Sequence, residues 1–397
     1  MSERERYVLR DETFGGTLYD RHLLRHTFVS QEEMGKELTI DGQKVKAVER
    51  WSADTKGIPE DLLFSPTRIY YEVTRQCNLR CTHCFNASGK PMHGEMSTEE
   101  VFNTLEGFRG DNIFDIRFTG GELTARPDWF SILRKAKDLG FTVSMNTNGV
   151  YRDQKTIDQI ADLDLDQVTV SIDGVKEHHE QIRGHGTFDK SIHSLQQLKE
   201  RGVRLRTNTV ITTLSLPDAH EIVAAVEPYV EEVAFFHMRL TGRAQKNLDK
   251  AVTFEQLAEF NEGMEQVRQA FPHIRMYFGE MAMRVNSTIM NNFGLKVGGP
   301  DGFTRFNILA DGSLWAGGYV PYIDPSLRLG NIKDEGYSVQ NIWRNSPILN
   351  EFRNWSEELV NRCLPCPEFE NRCPGVNTEM ELTRKNFPQI GNPYCIY

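Results

Sequence analysis

The sequence has no apolar run long enough to cross a membrane, and its first residues are mostly charged or polar, unlike a signal peptide. It also has no excess of positive charge, because 56 Asp and Glu outnumber 46 Lys and Arg and give a formal net charge of −10. Such a chain lacks the positive field that draws proteins to nucleic acid or to anionic membranes. We therefore expect a cytoplasmic protein that binds neither nucleic acid nor membrane.

Cysteine is absent from the whole middle of the chain, between positions 84 and 363. The seven cysteines form two groups, the first with Cys77, Cys81 and Cys84 and the second with Cys363, Cys366, Cys373 and Cys395. Disulfides are typical of small exported domains, whereas this chain has 397 residues and no sign of export. The two groups therefore favour metal ligation.

The first group is a short loop with the spacing Cys-x3-Cys-x2-Cys, directly after a strand-like segment at 68–74. Three thiolates on one loop can hold three irons of a [4Fe–4S] cluster and leave the fourth iron without a protein ligand. A cluster that only passes electrons would take four cysteines, so the open iron indicates a place for chemistry. The alternatives are a zinc knuckle or three unconnected thiols, because short cysteine patterns also arise by chance.

Strand and helix patterns alternate from about residue 66 to 275 at the spacing of βα units, which predicts a parallel sheet with crossover helices. Six strands are predicted, at 68–74, 115–119, 142–146, 167–174, 204–211 and 232–237. Six are enough for an open partial barrel but not for a closed eight-stranded one. Polar motifs follow several of these strands directly, at the end where parallel βα barrels collect their ligand-binding loops.

The cysteine loop after the first strand resembles the hallmark of the radical S-adenosylmethionine (SAM) enzymes. The resemblance implies an α/β fold with a partial (β/α)6 TIM-like barrel, in which Cys77, Cys81 and Cys84 hold the SAM-binding [4Fe–4S] cluster. In that family SAM binds the open iron, and one electron cleaves it to a 5′-deoxyadenosyl radical that abstracts a hydrogen atom from substrate. The chain would then need an electron donor such as flavodoxin or ferredoxin.

Two motifs at the next strand ends match family positions that bind SAM. The tripeptide Gly120-Gly121-Glu122 is similar to the GGE motif, in which glycine backbone and a carboxylate receive the methionine ammonium. The segment Asn146-Thr147-Asn148 offers amide and hydroxyl groups suited to the ribose or to the methionine portion. A local Asn-Gly turn is the alternative for this second segment.

Three further residues match SAM-binding positions of the family. Ser171 and Arg183 correspond to positions that commonly bind the SAM carboxylate, which an arginine can meet with two parallel hydrogen bonds. Val210 lies where the family packs the adenine ring, although an apolar residue on a parallel strand is also typical of plain core. His83 replaces the usual aromatic residue before the third cysteine, and its imidazole can still stack.

The C-terminal segment resembles the SPASM domain, an auxiliary-cluster extension of the same family. The resemblance rests on a predicted Asp-Gly β-hairpin at 306–315, on segments 329–332 and 338–343, and on the four late cysteines. A full SPASM domain holds two clusters, but this chain lacks a cysteine after the hairpin and another after Cys373. The remaining Cys363, Cys366, Cys373 and Cys395 complete one shell, which implies a single auxiliary [4Fe–4S] cluster. A structural zinc is the alternative.

Three domains are predicted from these features. Residues 1–65 form a small N-terminal β-rich appendage, 66–290 the radical SAM core barrel, and 291–397 a C-terminal Fe–S domain of the SPASM/twitch-like kind. The opening hairpin with Gly15-Gly16 is faintly similar to peptide-binding PqqD-like domains, whose role would be to bind a leader peptide. Alternatively, the hairpin only covers the bottom or the edge of the barrel.

The count of cysteines bears on the reaction. With three thiols on one cluster and four on the other, none is left to return a hydrogen atom to a substrate radical. The family resemblance together with this count predicts oxidative modification of a ribosomally made peptide, giving a crosslink, a thioether or an unsaturation. The alternatives are a tetrapyrrole side-chain decarboxylase or modifying enzyme of the heme or heme d1 type, acting on a porphyrin, and a peptide epimerase. The open-site motif argues against a non-enzymatic iron–sulfur carrier.

The segment Arg239-Leu240-Thr241-Gly242-Arg243, after the sixth predicted strand, resembles a segment of family members with a C-terminal cluster domain. It is expected either to contact substrate carboxylates or phosphate, or to form a solvated turn with two cations.

Overall fold

A computed structural model of the chain describes residues 5–40, 42–45, 48–278, 292–367 and 378–386. The strands are β1 Tyr7–Glu12, β2 Gly15–Asp20, β3 Arg25–Ser30, β4 Thr39–Ile40, β5 Gln43–Lys44, β6 Val48–Trp51, β7 Arg68–Glu72, β8 Asp115–Thr119, β9 Thr142–Thr147, β10 Gln167–Ser171, β11 Leu205–Ile211, β12 Glu232–His237, β13 Arg275–Phe278, β14 Arg305–Ile308, β15 Ser313–Trp315 and β16 Gly330–Asn331.

Helices connect and cover these strands. The α-helices are α1 Thr98–Gly110, α2 Trp129–Asp138, α3 Gln154–Asp162, α4 Lys176–Arg183, α5 Thr187–Glu200, α6 Ala219–Val226, α7 Phe254–Ala270, α8 Val320–Ile323, α9 Gln340–Asn345, α10 Pro347–Cys363 and α11 Thr378–Asn386. Short 3-10 turns lie at Leu123–Ala125, Leu216–Asp218, Gly242–Lys246, Leu248–Lys250 and Pro325–Leu327. None of these described helices has the length and apolar character needed to cross a bilayer.

The central sheet has ten strands in the order β13-β12-β11-β10-β9-β8-β7-β14-β15-β16. Strands β7 to β13 are parallel and follow one another in chain order, which confirms the predicted α/β fold with a parallel-strand sheet. The six predicted strands are β7 to β12, and β13 extends the sheet by a seventh. At the other edge β14 pairs in parallel with β7 and forms the predicted Asp-Gly hairpin with β15.

Alternation along the parallel strands separates a helix-covered face from the barrel interior. In β11, Leu205, Thr207, Thr209 and Ile211 are buried, while Arg206, Asn208 and Val210 between them are only half-buried. Side chains of successive strand residues point to opposite faces, so one set packs under the helices and the other lines the interior. The interior of this barrel is consequently polar at several positions.

The boundary predicted at 290/291 remains a prediction. β14 lies beyond it in sequence and nevertheless continues the barrel sheet beside β7, because its backbone pairs with Arg68–Tyr71 along the whole strand. The C-terminal segment is therefore attached to the barrel through main-chain hydrogen bonds as well as through side-chain packing.

A second sheet, in the order β3-β2-β1-β6, packs against the N-terminal end of the barrel. The Tyr19 hydroxyl donates to Asp115 Oδ2 at the start of β8 (2.8 Å), and Arg68 Nη2 at the start of β7 donates to Leu24 O (2.8 Å). All regular structure described between residues 5 and 65 is strand. These contacts support the alternative in which the appendage covers the bottom of the barrel.

A buried ion pair joins this sheet to the barrel. Arg10 and Glu12 have fully buried side chains 2.7 Å apart, and Arg10 also donates to Ser65 Oγ (2.6 Å) and Asn112 O (3.0 Å). The Glu12 carboxylate further accepts from Thr17 Oγ1 (2.7 Å) and Phe64 N (2.6 Å). The pair is satisfied on both sides, so removal of either partner would leave a buried charge.

We expect Glu12→Ala to lower the free energy of unfolding by about 3–5 kcal/mol, because it leaves the Arg10 guanidinium buried without a counterion. The matched control is Glu37→Ala, which removes a carboxylate from the solvent-exposed pair with Lys44 and should change stability little. Urea unfolding followed by circular dichroism measures both variants. Equal midpoints for the two variants would contradict the role assigned to the pair.

Candidate active site

The cysteine loop leaves β7 and is closed at its base by backbone hydrogen bonds. Cys77 N donates to Gly89 O (3.1 Å), and Gly89 N donates to Arg75 O (2.8 Å). Within the loop Cys84 N donates to Cys81 O (3.3 Å), so the second and third cysteines share one turn. Cys81 is buried, whereas Cys77 and Cys84 are half-buried and reachable from one side.

The three thiols lie close enough to influence each other's protonation. Burial raises the pKa of Cys77 to about 11, and the charges of Glu122, Cys81 and Cys84 add to the rise. Burial also raises the pKa of Cys81, while the Arg183 and Arg243 guanidiniums oppose that rise. Two cations therefore stand beside the loop, where they would stabilise thiolates.

The spacing of these thiols bears on the kind of metal group they suit. A single zinc ion requires sulfurs gathered around one centre, whereas a [4Fe–4S] cluster takes one thiolate on each of three irons. Three thiolates with the Arg183 and Arg243 guanidiniums beside them fit a [4Fe–4S] cluster, in which each thiolate would bind one iron.

Gly120 and Gly121 let the end of β8 touch the start of the cysteine loop. A Cβ added to Gly120, whose φ is +153°, would lie 2.3 Å from Thr74 O, and one added to Gly121 would lie 2.2 Å from Gln76 O. Gly121 N donates to Thr74 O (2.8 Å), and Glu122 N donates to Gln76 O (2.7 Å). Only glycine permits this approach, so the two residues hold the cysteine loop against β8.

Glu122 is buried, and its carboxylate is used by the chain itself. It accepts hydrogen bonds from Thr124 Oγ1 (2.8 Å), Thr147 Oγ1 (3.0 Å) and Asn148 N (2.9 Å). Burial raises the pKa of Glu122, and these hydrogen bonds oppose the rise. The carboxylate thus fixes the end of β9 beside the GGE motif, a positioning role that sequence reasoning did not anticipate.

The end of β9 reaches back to the cysteine loop. Asn148 Nδ2 donates to Asn78 Oδ1 (2.8 Å) and lies 4.0 Å from Cys77 Sγ. Thr147 is engaged with Glu122, whereas the buried Oδ1 of Asn146 has no hydrogen-bond partner among the described residues. Asn146 is therefore the member of this segment with a polar atom left for a ligand.

Arg183 and His83 meet at a buried carboxylate, Asp173, which the sequence analysis did not single out. Asp173 Oδ2 is 2.8 Å from His83 Nε2 and accepts a 2.5 Å hydrogen bond from Arg183 Nε. Burial opposes ionisation, but the charges of Arg183 and His83 outweigh it and lower the pKa of Asp173. Among the described contacts Arg183 uses only its Nε, so its terminal nitrogens remain for a carboxylate.

Ser171 and Val210 lie on the same side of the barrel. Ser171 is the last residue of β10, half-buried and paired in register with Asn208 of β11. Val210 N donates to the second oxygen of Asp173 (2.9 Å), and its side chain packs against Met238, Leu240 and Ala244. Val210 therefore packs in the core through its side chain and binds, through its backbone N–H, the Asp173 carboxylate that also holds Arg183.

The segment after β12 braces the cysteine loop through Thr241, Gly242 and Arg243. Arg243 Nε donates to Cys81 O and its Nη1 to Ser88 O, both at 2.8 Å. Thr241 Oγ1 donates to Phe85 O (2.9 Å), and a Cβ on Gly242 would lie 2.4 Å from the same oxygen. The expectation of a solvated turn is wrong, and Arg243 is a positioning residue that sequence reasoning missed.

The barrel interior contains a set of cations that the sequence did not bring together. Arg117 of β8 and Arg305 of β14 stack over the Tyr70 ring, with guanidinium carbons 5.7 and 5.1 Å from its centroid. Burial would raise the pKa of Tyr70, yet Arg117, Arg68, Arg305 and Arg206 lower it to about 7. Arg117 lies in the middle of a buried parallel strand, where a charged residue is unusual. This was the signal in the sequence that could have revealed the group of cations.

The C-terminal segment covers the cysteine loop, but its own cysteines are only partly described. The Phe85 ring meets Tyr319 and Tyr322 edge-on, with centroids 4.6 and 5.6 Å apart. Cys363 ends α10, and Cys366 N donates to Cys363 O (3.0 Å). The predicted ligands Cys373 and Cys395 lie outside the described residues.

Three cysteines and several polar side chains thus lie together at the C-terminal edge of the barrel, where parallel βα barrels bind their ligands. Residues 71–226 match the family model of the radical SAM superfamily. Residues 71–226 therefore form a radical SAM domain, and the chain continues beyond it with a C-terminal extension.

Curated relatives match most of the chain at modest identity. It is 29% identical over 345 residues to the AdoMet-dependent heme synthase of Oleidesulfovibrio alaskensis, covering 83% of this chain and 87% of that protein. It is 26% identical over 323 residues to the mycofactocin maturase MftC of Mycolicibacterium smegmatis, covering 78% and 77%.

Among solved structures the chain resembles Streptococcus suis SuiB bound to S-adenosylmethionine, with a TM-score of 0.73, 15% identity, and coverage of 95% of this chain and 96% of that one. This likeness establishes a shared fold.

We expect Gly121→Ala to abolish binding of the cluster at the cysteine loop, because the added Cβ would overlap Gln76 O and displace the loop. The matched control is Gly263→Ala in α7, where a Cβ meets no atom within 4 Å. Iron analysis and the electron paramagnetic resonance spectrum of the reduced protein report the loss. Retention of full iron content and an unchanged spectrum in Gly121→Ala would contradict the proposed contact.

Proposed function

We propose that this radical SAM enzyme oxidatively modifies a ribosomally made peptide, forming a crosslink, a thioether or an unsaturation. When bound, the cluster and SAM would supply a 5′-deoxyadenosyl radical that takes one hydrogen atom from the substrate. We propose Cys77, Cys81 and Cys84 as the ligands of this cluster, and flavodoxin or ferredoxin as the electron donor.

The observation that carries the oxidative part is the location of the cysteines. The chain has none between 84 and 363, and none at 68–72, so every strand from β7 to β16 lacks a thiol. A thiol donor that returned a hydrogen atom to the substrate radical would have to stand near the barrel interior. Peptide epimerisation through such a donor is therefore a weaker candidate than net oxidation.

We propose a SAM site at the C-terminal ends of β8 to β11. Its members are Gly120, Gly121, Glu122, Asn146, Thr147, Asn148, Ser171, Arg183 and Val210. Arg183 is suited to the SAM carboxylate, since its Nε is fixed by Asp173 and its terminal nitrogens are left over. Asn146 offers the unpartnered Oδ1, while Glu122 and Asn148 act by holding the strand ends against the cysteine loop.

We propose a second [4Fe–4S] cluster on Cys363, Cys366, Cys373 and Cys395, since four thiolates complete a shell. Such a cluster would supply an acceptor for the second electron of an oxidation. The closeness of Cys363 and Cys366 at the end of α10 is consistent with two adjacent ligands.

The peptide substrate is supported by the 26% identity to the mycofactocin maturase over 78% of this chain. A second candidate is oxidation of a porphyrin side chain, as in tetrapyrrole enzymes of the heme type. It is favoured by the 29% identity to the AdoMet-dependent heme synthase and by the arginines that converge on Tyr70 inside the barrel.

Mass spectrometry of a short peptide encoded beside this gene, coexpressed anaerobically with the enzyme, tests the first proposal. We expect a loss of two hydrogens in the peptide, because one leaves as an atom and one as a proton after the electron is removed. Cys84→Ala is the control and should leave the peptide unmodified. Deuterium gained from solvent without loss of two hydrogens would show epimerisation. An unmodified peptide would contradict the peptide proposal and favour a porphyrin substrate.

Cysteine replacement tests the two-cluster assignment separately. Alanine at Cys77, Cys81 and Cys84 should leave about four irons per chain, as expected of one remaining [4Fe–4S] cluster, and additional replacement of the four C-terminal cysteines should leave none. Iron and sulfide analysis of anaerobically reconstituted protein gives the counts. The assignment is wrong if the triple variant keeps about eight irons per chain.

A further inference from the structure

We infer that the barrel interior contains a carboxylate-binding subsite, formed by Arg117 and Arg206 next to Tyr70, which anchors an acidic group of the substrate. The inference rests on the proposed function for the nature of that substrate, and it adds the chemical group by which the substrate is held. Arg117 is on β8, Arg206 on β11 and Tyr70 on β7. The Arg117 guanidinium lies over the Tyr70 ring, and Arg206 is near enough to act electrostatically on both.

Among the described residues, Arg117 and Arg206 have only uncharged side chains as hydrogen-bond and ring partners. The Arg206 guanidinium carbon lies 5.9 Å from the Phe236 ring centroid and 5.4 Å from that of Tyr277. Arg117 Nη2 donates to Gln167 Oε1 (3.3 Å), and Arg206 Nε donates to Asn208 Oδ1 (3.1 Å). Neither arginine takes part in an ion pair among the described residues, and the buried Nε of Arg117 has no hydrogen-bond partner there. The Arg117 side chain is buried, and a buried guanidinium without a counterion is costly, so an anion is expected to complete the site.

The acidic residues nearby are already engaged elsewhere. Asp301 binds both Nε (2.5 Å) and Nη2 (2.7 Å) of Arg305. Glu232 lies 2.8 Å from Arg204 Nη2 and also contacts Arg275, at the start of the strands. Among the described residues, these pairs leave Arg117 and Arg206 without an ion-pair partner, with only the Tyr70 hydroxyl and the more remote Glu232 to offset their charge.

The electrostatics of neighbouring groups agree with this geometry. Burial lowers the pKa of Arg206 to about 10, and repulsion from Arg117 contributes to the decrease. The same guanidiniums account for the lowered pKa of Tyr70. Glu232 attracts Arg206 from a distance and offsets part of the excess, so the remaining charge suits a monoanion such as a carboxylate better than a phosphate dianion.

The distance between the subsite and the C-terminal end of β8 suits a substrate that extends from the subsite to the proposed SAM site. Arg117 precedes Gly120 by three residues along β8, which corresponds to roughly 10 Å along a strand. A carboxylate bound here would leave the carbon atoms above it next to the cysteine loop. The planar fork of an arginine also fixes the orientation of a carboxylate, which a lysine would not.

Thermal unfolding of the reconstituted full-length enzyme in sodium propionate, compared with sodium chloride at equal ionic strength, tests the subsite. Propionate should raise the unfolding temperature of the native enzyme, because a ligand that binds only the folded state stabilises it. Arg206→Gln should weaken propionate binding about tenfold or more, and Arg206→Lys should recover only part of it. Arg201→Gln, on the outer surface, is the control and should respond as the native enzyme does.

An equal response to propionate in Arg206→Gln and in the native enzyme would overturn the inference. A larger stabilisation by inorganic phosphate than by propionate would overturn the assignment of the anion as a carboxylate. Arg206 is half-buried and its replacement is the milder change, so the test does not depend on whether Arg117→Gln folds.

Two arms distinguish the source of the carboxylate. One measures binding of coproporphyrin III, which carries propionates, and the other measures binding of the neighbouring peptide with free or amidated carboxyl groups. We expect one of the two to lose affinity in Arg206→Gln, and the inference fails if neither does. If only the proposed peptide modification were wrong, the peptide would remain unmodified while propionate still stabilised the native enzyme more than Arg206→Gln. The two failures can therefore be distinguished.

Discussion

The contact between the Gly120-Gly121 backbone and the carbonyls of Thr74 and Gln76 is the constraint on which the rest of the site depends. It brings the end of β8 to 2.7–2.8 Å hydrogen-bond distance of the segment that enters the cysteine loop. Glu122 follows directly and holds Thr147 and Asn148, so a second strand end is fixed by the first. Three segments that are separate in sequence are thereby tied together at one edge of the sheet.

The two ends of the barrel differ in whether their polar groups have partners among the described residues. The N-terminal sheet binds the strand starts through satisfied buried groups such as Arg10, Glu12 and Tyr19, which stabilise without doing chemistry. At the other end polar atoms of Asn146 and Arg183 have no partner among the described residues, and within the same part of the chain Arg117 and Arg206 form no ion pair. Unpaired polar groups are costly, and their concentration between the cysteine loop and the closed end indicates where ligands act.

Much of this site was predictable because its residues occur in short motifs at strand ends. The cysteine loop was found by its spacing, the GGE motif and Asn146–Asn148 by their resemblance to family motifs at strand ends, and the parallel sheet by the βα alternation. The roles of Asp173 and Arg243 were not predicted, since they arise from contacts with residues 90 and 162 positions away in sequence. The seventh strand, Arg275–Phe278, and the pairing of β14 with β7 likewise depend on tertiary context that local pattern does not carry.

The most direct test of the central claim is reductive cleavage of SAM by the reconstituted enzyme, with release of 5′-deoxyadenosine measured by liquid chromatography. The cysteine loop and the strand ends tied to it predict release by the native enzyme under strong reductant and none by Cys84→Ala. Failure of a fully reconstituted native enzyme to release 5′-deoxyadenosine, or equal release by Cys84→Ala, would contradict the account.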